Sequence, residues 1–214
     1  MIGIIDYGMG NLRSVEKAFR FLDAPVRILT QPGDLESCER VVLPGVGAFR
    51  DAIHELRRLE FDQALKDFAD SGQPLLGICL GLQLFFDVSY EDGEYEGLQF
   101  LPGEVVRFEP EPGLKIPQMG WNSLTIKKRI PLLAGLESGD SVYFVHSYHA
   151  RPSRAEDAAA TATHGSQEFL AVAARGNVMA TQFHPEKSQQ VGLRILKNFA
   201  TLDVPTLTTA RSSS

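Results

Sequence analysis

The segment PLLGICLGLQLFF, residues 74–86, joins a short apolar run to a helix-like run through one cysteine. The run before the cysteine is typical of a strand buried on both faces, and the leucines and phenylalanines after it recur as on the buried side of a helix. Cys79 lies in the pattern Gly77-x-Cys79-x-Gly81, whose small residues allow a sharp strand-to-helix turn. A helix N-terminus favours a thiolate. The segment therefore predicts either a cysteine nucleophile or a buried structural cysteine.

Further apolar runs on both sides of this segment predict the rest of a sheet. Predicted strands lie at residues 2–5, 26–29, 41–43, 103–108, 142–148, 169–175 and 178–183. Apolar residues recur at helical spacing at 12–22, 53–68 and 189–199. The first half is typical of strand–helix–strand units, and Gly176-Asn177 marks an antiparallel hairpin. We therefore predict an α/β fold with a mixed, mostly parallel central sheet and helices on both faces.

The chain has 214 residues, a net charge of −6 and two cysteines. This length suits a single domain, predicted over residues 1–204, followed by a disordered tail over 205–214 that is poor in large apolar residues. The negative charge and the lack of a long basic run argue against a nucleic-acid partner, and the lack of a long apolar run argues against a membrane partner. Few cysteines and no signal-peptide pattern predict a cytoplasmic location.

Glycine-rich turns follow two of the predicted strands. Gly8 and Gly10 fit the start of a dinucleotide-binding fingerprint, but its third glycine position holds Arg13, and the sequence has no Walker-type phosphate loop. We therefore expect neither a cofactor nor a metal ion. The second turn, PGVG at 44–47, would place backbone N–H groups at the carboxyl edge of the sheet, where ligands bind in open α/β folds. A plain turn is the alternative.

His184 and Glu186 flank Pro185 at the end of the last predicted strand. A residue before proline is pushed into an extended conformation, and in an extended segment positions i and i+2 point to the same side. The carboxylate can then hold one ring nitrogen while the other faces a sulfur. Together with Cys79, this pair provides a nucleophile, a base and a group that orients the base.

An acyl-transfer site also needs hydrogen-bond donors for the developing oxyanion. The N–H of Leu80, directly after the cysteine, is one donor in the strand-to-helix geometry. The loop of Gly45, Val46 and Gly47 can supply the second, because a missing Cβ permits close approach. Each such donor contributes about 3–4 kcal/mol in the transition state.

Two segments in the middle of the chain lack a clear strand or helix pattern. The acidic segment at 88–97 is interpreted as a solvated loop. The segment PQMGWN at 117–122, predicted to be a turn, contains the single Trp beside a Met. Trp121 either folds back on the core or forms a docking surface, since Trp and Met are enriched at interfaces.

The motifs GICLGLQ, PGVG and HPE, in the order in which they occur, resemble those of the triad-type, class I glutamine amidotransferase family. The resemblance implies a flavodoxin-like fold and hydrolysis of glutamine to glutamate and ammonia through a thioester on Cys79. It implies that His184 and Glu186 complete the catalytic triad. It further implies that Gln83, Ser147 and Tyr148 bind the substrate.

Other segments resemble one branch of that family, namely DYGMGNLRSV at 6–15, PGVGAF at 44–49, MGWN at 119–122, HSY at 146–148 and QFHPEKS at 182–188. In this branch the glutaminase forms a heterodimer with a (β/α)8-barrel synthase (cyclase) subunit and passes ammonia to it. The resemblance implies contacts with this partner by Met119, Trp121, Asn122 and Lys187. It also leads to the hypothesis that the Gly45–Val46 peptide starts in an unproductive orientation until the partner binds its own ligand.

Two positions depart from the family pattern. Gln118 stands where the family more often has His, and His149 where Tyr is more usual. Three alternatives stay open: a glutaminase that serves another ammonia-using synthase, a non-catalytic regulatory protein on the same fold, and a cysteine peptidase or hydrolase of similar architecture. The intact Cys79, His184 and Glu186 argue against the regulatory protein.

Overall fold

A central eight-stranded sheet organises residues 1–202, the part of the chain that the computed structural model describes. The strands are Ile2–Ile5 (β1), Val26–Leu29 (β2), Arg40–Gly45 (β3), Leu75–Cys79 (β4), Phe86–Ser89 (β5), Tyr95–Glu96 (β6), Leu101–Arg107 (β7), Gln118–Ser123 (β8), Thr125–Ile126 (β9), Ser141–His146 (β10), Tyr148–Pro152 (β11), Ala158–His164 (β12), Gln167–Arg175 (β13) and Val178–Thr181 (β14). The helices are Leu12–Phe21 (α1), Phe49–Arg58 (α2), Phe61–Asp70 (α3), Leu80–Leu84 (α4) and Gln189–Ala200 (α5). None of these helices is long and apolar enough to cross a membrane. The tail predicted at 205–214 lies outside the described residues.

The central sheet has the strand order β2-β1-β3-β4-β14-β13-β12-β9. Neighbouring strands from β2 to β14 are parallel, and those from β14 to β9 are antiparallel. Two smaller sheets accompany it, one of β8 with β10 and one with the order β11-β7-β5-β6. The predicted mixed, mostly parallel sheet is confirmed, and the Gly176-Asn177 turn starts the antiparallel part by joining β13 to β14.

Helices cover both faces of this sheet because each long helix carries one apolar stripe. On one face α1 and α5 pack together, with the rings of Phe19 and Phe199 6.4 Å apart. On the other face α2 and α3 bury Phe49 and Leu65 among the side chains of β3 and β4. The predicted covering of both faces is confirmed, and it leaves the carboxyl edge of the parallel strands available for a site.

Two helix predictions require correction. The stretch at 53–68, predicted as one helix, belongs to two helices, α2 and α3, because Glu60 between them takes a left-handed backbone conformation with φ +60°. The helix after Cys79 ends at Leu84, and Phe86 already begins β5. A short run of buried apolar residues fits a strand as well as a helix, so periodicity did not separate the two.

One turn prediction and one strand prediction also require correction. The predicted turn at 117–122 lies mostly in β8, which pairs antiparallel with β10. Its alternation is inverted, because the polar Gln118 is buried while Met119 and Trp121 are exposed. The strand predicted at 142–148 is divided at Ser147 into β10 and β11, which pair with different strands.

Candidate active site

Cys79 ends β4 at the point where the strand turns directly into α4. Its backbone has φ +57° and ψ −108°, and a positive φ is rare for a residue with a side chain. The flanking glycines permit this turn: a Cβ at Gly77 would lie 2.7 Å from the carbonyl oxygen of Gly81, and a Cβ at Gly81 would collide with the carbonyl oxygen of Leu43. A strained backbone held by close packing is typical of a nucleophile at a strand-to-helix turn.

Cys38, the other free cysteine, has a different environment. Burial raises the pKa of its thiol, and its polar contacts are the Asp34 carbonyl oxygen and the Ser37 hydroxyl. A thiol with a raised pKa is a poor nucleophile. Cys38 is therefore a structural residue packed under the 3₁₀ turn Pro32–Ser37.

His184 and Glu186 lie together beside Cys79. The Nδ1–H of His184 donates a hydrogen bond to Glu186 Oε1 at 2.8 Å, and the two side chains are only 3% and 1% exposed. Burial alone would lower the pKa of His184, but hydrogen bonds and charge attraction from Cys79 and Glu186 raise it to about 10. The ring is therefore stable as an imidazolium near pH 7, and Nε2 is the nitrogen that Glu186 does not hold.

The backbone that brings this pair together is not the extended segment predicted from the sequence. His184 itself is extended, with φ −97° and ψ 98°, but Pro185–Lys187 form a 3₁₀ turn that returns the carboxylate of Glu186 to the ring. Proline suits the first position of such a turn because its φ is already fixed. An N–H at this position would have no partner within the turn, so its absence costs nothing. Ser188 holds the turn, since its Oγ donates to the His184 carbonyl at 2.6 Å and accepts from the Tyr143 N–H at 3.0 Å.

The predicted oxyanion loop meets the cysteine at the same edge of the sheet. Gly45 ends β3 directly opposite Cys79 in the parallel register. A Cβ at Gly45 would lie 2.9 Å from the Cβ of Leu80, so glycine allows the loop and α4 to approach closely. Val46, Gly47 and Leu80 line the same cavity as Cys79, and Gly47 has φ +99°. The structure thus brings the four predicted oxyanion residues around the nucleophile.

One cavity of about 340 Å³ joins Cys79, His184 and part of the predicted oxyanion loop. It is lined by Val46, Gly47, Cys79, Leu80, Gln83, Glu91, Pro117, Val145, His146, Ser147, Tyr148 and His184. The three predicted substrate-binding residues are therefore all present in its wall. Ser147 reaches the cavity because the strand is interrupted there, between β10 and β11.

Gln83 is fixed by a chain of hydrogen bonds that leads back to the nucleophile. Its Nε2 donates to the Tyr148 carbonyl oxygen at 2.9 Å and to Gln182 Oε1 at 3.2 Å. The Nε2 of Gln182 in turn donates to Cys79 Sγ at 3.9 Å. Gln83 therefore connects the Tyr148 side of the cavity to the cysteine side.

Glu91 is a cavity residue that the sequence reasoning missed. It belongs to the acidic segment interpreted as a solvated loop, but its carboxylate accepts a hydrogen bond from the Phe49 N–H at 2.7 Å, at the start of α2. Burial raises the pKa of Glu91. A carboxylate at a helix N-terminus is a recognisable pattern, but the helix and the acid are far apart in sequence, so no local signal joined them.

His146 is the second cavity residue that the sequence reasoning missed. Its Nδ1 is 2.8 Å from the Tyr148 carbonyl oxygen, and burial lowers the pKa of the ring to about 3. The ring is therefore neutral near pH 7. Its position in a predicted strand gave no sign that β10 ends at the cavity.

The predicted partner-contact residues have two different environments. Met119 and Trp121 project outward from β8, 66% and 50% exposed, and Trp121 lies edge-on to Tyr143 with ring centroids 6.2 Å apart. Lys187 is also exposed. Asn122 differs, because its Nδ2 donates to the Thr163 carbonyl oxygen at 2.7 Å. Its side chain is thus held within the protein, and its contact with a partner stays a prediction.

The arrangement suits acyl transfer from a small amide or ester. It combines a cysteine, an imidazolium that can give a proton to a leaving group, and a cavity wall in which Val46, Gly47 and Leu80 are the predicted oxyanion donors. Within residues 1–202, no group of three or more His, Cys, Asp or Glu side chains is arranged to hold a metal ion.

Comparison with known proteins gives consistent matches over nearly the whole chain. The family model described as "Glutamine amidotransferase class-I" matches residues 3–202. A relative from Syntrophotalea carbinolica, named imidazole glycerol phosphate synthase subunit HisH, is 53% identical over 204 residues and covers 93% of this chain and 98% of its own. A relative of the same name from Rhodopirellula baltica is 50% identical over 204 residues, covering 95% of this chain and 98% of its own.

The fold also matches a solved structure. A crystal structure of a glutamine amidotransferase superposes with a TM-score of 0.72 at 19% identity, covering 94% of this chain and 99% of that chain. At this level of identity the similarity concerns the fold alone.

Proposed function

This chain belongs to the class I glutamine amidotransferase family, and we propose that it is the glutaminase subunit of an imidazole glycerol phosphate synthase, an enzyme of histidine biosynthesis. The names of relatives about half identical over more than nine tenths of the chain support this assignment. The observation that carries the chemistry is the buried His184–Glu186 hydrogen bond, with His184 in the wall of the same cavity as Cys79, which ends β4. The reaction is hydrolysis of L-glutamine to glutamate and ammonia.

In the first half of the reaction, the Cys79 thiolate attacks the side-chain carbonyl carbon of glutamine. A C–S bond forms, and the π electrons move to the oxygen, which accepts hydrogen bonds from N–H groups of the Gly45–Gly47 loop and of Leu80. As the tetrahedral intermediate collapses, the C–N bond breaks and His184 gives its Nε2 proton to the leaving nitrogen. The products of this half are ammonia and a glutamyl thioester on Cys79.

In the second half, water replaces ammonia beside His184. The neutral ring, oriented by Glu186, takes a proton from this water as it attacks the thioester carbonyl. The C–S bond then breaks, glutamate leaves, and the thiolate and imidazolium are restored. Glu186 keeps Nδ1 protonated throughout, so Nε2 is the atom that exchanges protons.

The cavity wall supports a position for the rest of the glutamine molecule. Glu91 offers a carboxylate for the α-ammonium group, and Ser147 and Tyr148 offer backbone and side-chain donors for the α-carboxylate. Gln83, held by the Tyr148 carbonyl and Gln182, borders the side chain of the substrate. Since Glu91 is fixed by the Phe49 N–H, the site is charged and oriented before substrate arrives.

We infer that ammonia passes to a (β/α)8-barrel cyclase subunit, with which this chain forms a heterodimer that makes imidazole glycerol phosphate and AICAR. Direct transfer has a physical reason, because ammonia released into water near pH 7 is protonated and no longer nucleophilic. The exposed Met119 and Trp121 on β8, together with Lys187, suit the docking surface. Residues 1–204 would act as one domain in the cytoplasm.

The experiment that tests the proposal measures glutamine hydrolysis with and without the purified cyclase subunit and its ligand. We expect glutamate and synthase product to form in equal amounts in the complex. Cys79→Ala should abolish both, whereas Cys38→Ala, which removes the other buried thiol, should change neither more than about twofold. If added ammonium but not glutamine supported synthesis in the wild-type complex, the proposal would be wrong.

A further inference from the structure

The imidazole of His146 has one satisfied and one unsatisfied nitrogen. Its Nδ1–H donates to the Tyr148 carbonyl at 2.8 Å, and since a carbonyl can only accept, Nε2 carries the bare lone pair. That Nε2 is buried and has no hydrogen-bond partner. The rings of Phe108, Phe144 and Phe169 lie 5.2, 5.7 and 5.1 Å away and hold the imidazole in place. A buried acceptor without a donor is unfavourable, so a donor is expected nearby.

Gln118 lies directly opposite His146 in the antiparallel pair of β8 and β10. Both side chains are buried on the inner face of this pair. Cross-strand partners on one face have Cβ atoms about 4.5–5.5 Å apart, which is within reach of a glutamine amide. The Oε1 of Gln118 is also buried without a hydrogen-bond partner. Both unpartnered atoms are buried away from bulk solvent.

The amide of Gln118 carries the missing donor on its other end. A half turn about its last side-chain bond exchanges the oxygen and the nitrogen at little energetic cost, because this torsion is broad. The amide then offers an N–H on the face of the strand pair where the imidazole Nε2 lies. We propose that Gln118 donates a hydrogen bond to Nε2 of His146 and thereby positions the Tyr148 side of the glutamine cavity.

The effect reaches the cavity through a shared carbonyl. The Tyr148 oxygen accepts hydrogen bonds from both His146 and Gln83, and Gln83 connects through Gln182 to Cys79. Gln118 is therefore a positioning residue that acts through His146, and this role rests on the proposed hydrolysis of glutamine. Burial lowers the pKa of His146 to about 3, so the ring stays neutral and Nε2 stays an acceptor near pH 7.

The test compares Gln118→Met with Gln118→His in the complex with the cyclase subunit. Met keeps the length and apolar stem of Gln but has no N–H, whereas His retains a ring donor. For Gln118→Met we expect KM for glutamine to rise about five- to tenfold with kcat changed less than twofold. The reason is that loss of the hydrogen bond to His146 displaces the Tyr148 side of the cavity, which binds glutamine. In the Gln118→His variant, KM for glutamine should stay close to the wild-type value. Ser123→Ala, an exposed change on the same strand, is the matched control.

A second readout uses the ring nitrogen signals of His146 in a ¹⁵N NMR spectrum of the full chain, assigned with His146→Gln. We expect the Nε2 signal to move toward that of a free acceptor in Gln118→Met alone. Wild-type KM and an unchanged Nε2 signal in Gln118→Met would overturn the proposal, as would a lower melting temperature with no change in KM. A wild-type complex that failed to hydrolyse glutamine would contradict the proposed function instead, and the Nε2 signal would still decide the pairing.

Discussion

Individual residues at the end of β4 determine the chemistry of the cavity. Cys79 has a backbone conformation that its two flanking glycines make possible, and His184, which lines the same cavity, donates a hydrogen bond to Glu186. These contacts stabilise the imidazolium against the effect of burial. The proton needed by the leaving ammonia is therefore already on the ring before substrate binds.

Glu186→Gln should change the pH dependence of glutamine hydrolysis. The Glu186 charge helps to raise the pKa of His184 to about 10, so its removal lowers that pKa. The imidazolium is the proton donor, and the alkaline loss of kcat/KM should therefore move to lower pH. We also expect kcat to fall by about 10²-fold or more, because an amide does not hold the ring in one tautomer. If the alkaline loss of kcat/KM occurred at the same pH in Glu186→Gln as in the wild type, this role of Glu186 would be contradicted.

Glu91→Gln should weaken glutamine binding without slowing chemistry. Loss of a charge-assisted hydrogen bond to the α-ammonium group should raise KM about tenfold or more and leave kcat within twofold. Because burial raises the pKa of Glu91, this carboxylate is protonated at a higher pH than an ordinary glutamate, so KM should also rise as pH falls. This pH dependence should be absent from Glu91→Gln. Glu94→Gln, an exposed change in the same loop, should leave KM unaltered.

Secondary-structure elements position the site by meeting at one edge of the sheet. β3 and β4 are parallel neighbours, so Gly45 and Cys79 end at the same level. α4 begins directly at the cysteine and packs so close to β3 that Gly81 has no room for a side chain. This close packing of strand and helix fixes the direction of the sulfur.

Gly81→Ala should destabilise the fold as well as the site. The added Cβ would collide with the Leu43 carbonyl oxygen, which is backbone and cannot turn away. We expect the free energy of unfolding to fall by about 3 kcal/mol, the upper part of the range for overpacking. Gly33→Ala is the control, since a Cβ there meets no atom within 4 Å, and its effect should stay within about 1 kcal/mol. Equal denaturation midpoints for the two variants would refute the packing argument.

The sequence predicted the parallel strands and the cysteine turn because both are local patterns. The strands β1, β2, β3 and β4 are short segments made mostly of apolar residues, and Gly77 and Gly81 each lie two residues from Cys79. β8 was missed because its polar Gln118 faces inward and its apolar side chains face outward. Alternation alone assigns such faces the wrong way round.

The role of Glu91 was missed for a different reason. Its partner, the Phe49 N–H, lies on α2, and only the tertiary fold brings the two together. The side-chain direction of Asn122 depended in the same way on Thr163, in β12. The positions of the Glu91 and Asn122 side chains both depend on contacts between distant segments. The sequence around each residue carries no local signal for these contacts.

At the scale of the whole molecule, the inverted strand β8 creates a surface suited to a partner. Met119 and Trp121 are exposed large apolar side chains on a strand whose pair, β10, ends at the cavity. Burial of such side chains on association is favourable, and Trp is the residue most enriched among the strongest interface contacts. The proposed docking surface and one part of the cavity wall thus belong to the same two-stranded sheet.

Trp121→Ala should weaken binding of the cyclase subunit while leaving the fold intact. Removal of a central interface Trp typically costs about 2 kcal/mol or more, so Kd should rise about 30-fold. The side chain is half exposed, and the melting temperature should therefore change little. Phe21→Ala on α1 removes another exposed aromatic ring, 73% exposed, and should leave Kd unchanged. Titration calorimetry with equal Kd values for the two variants would exclude Trp121 from the interface.

The measurement that tests the role of Cys79 most directly is mass spectrometry of the complex, quenched in acid during turnover of glutamine. The mechanism predicts a mass increase of one glutamyl group on the peptide that contains Cys79, and none on the peptide that contains Cys38. The adduct should disappear when glutamine is exhausted and should be absent from Cys79→Ala. Active turnover with no glutamyl adduct on Cys79, or with the adduct on another residue, would contradict the assignment of Cys79 as the nucleophile.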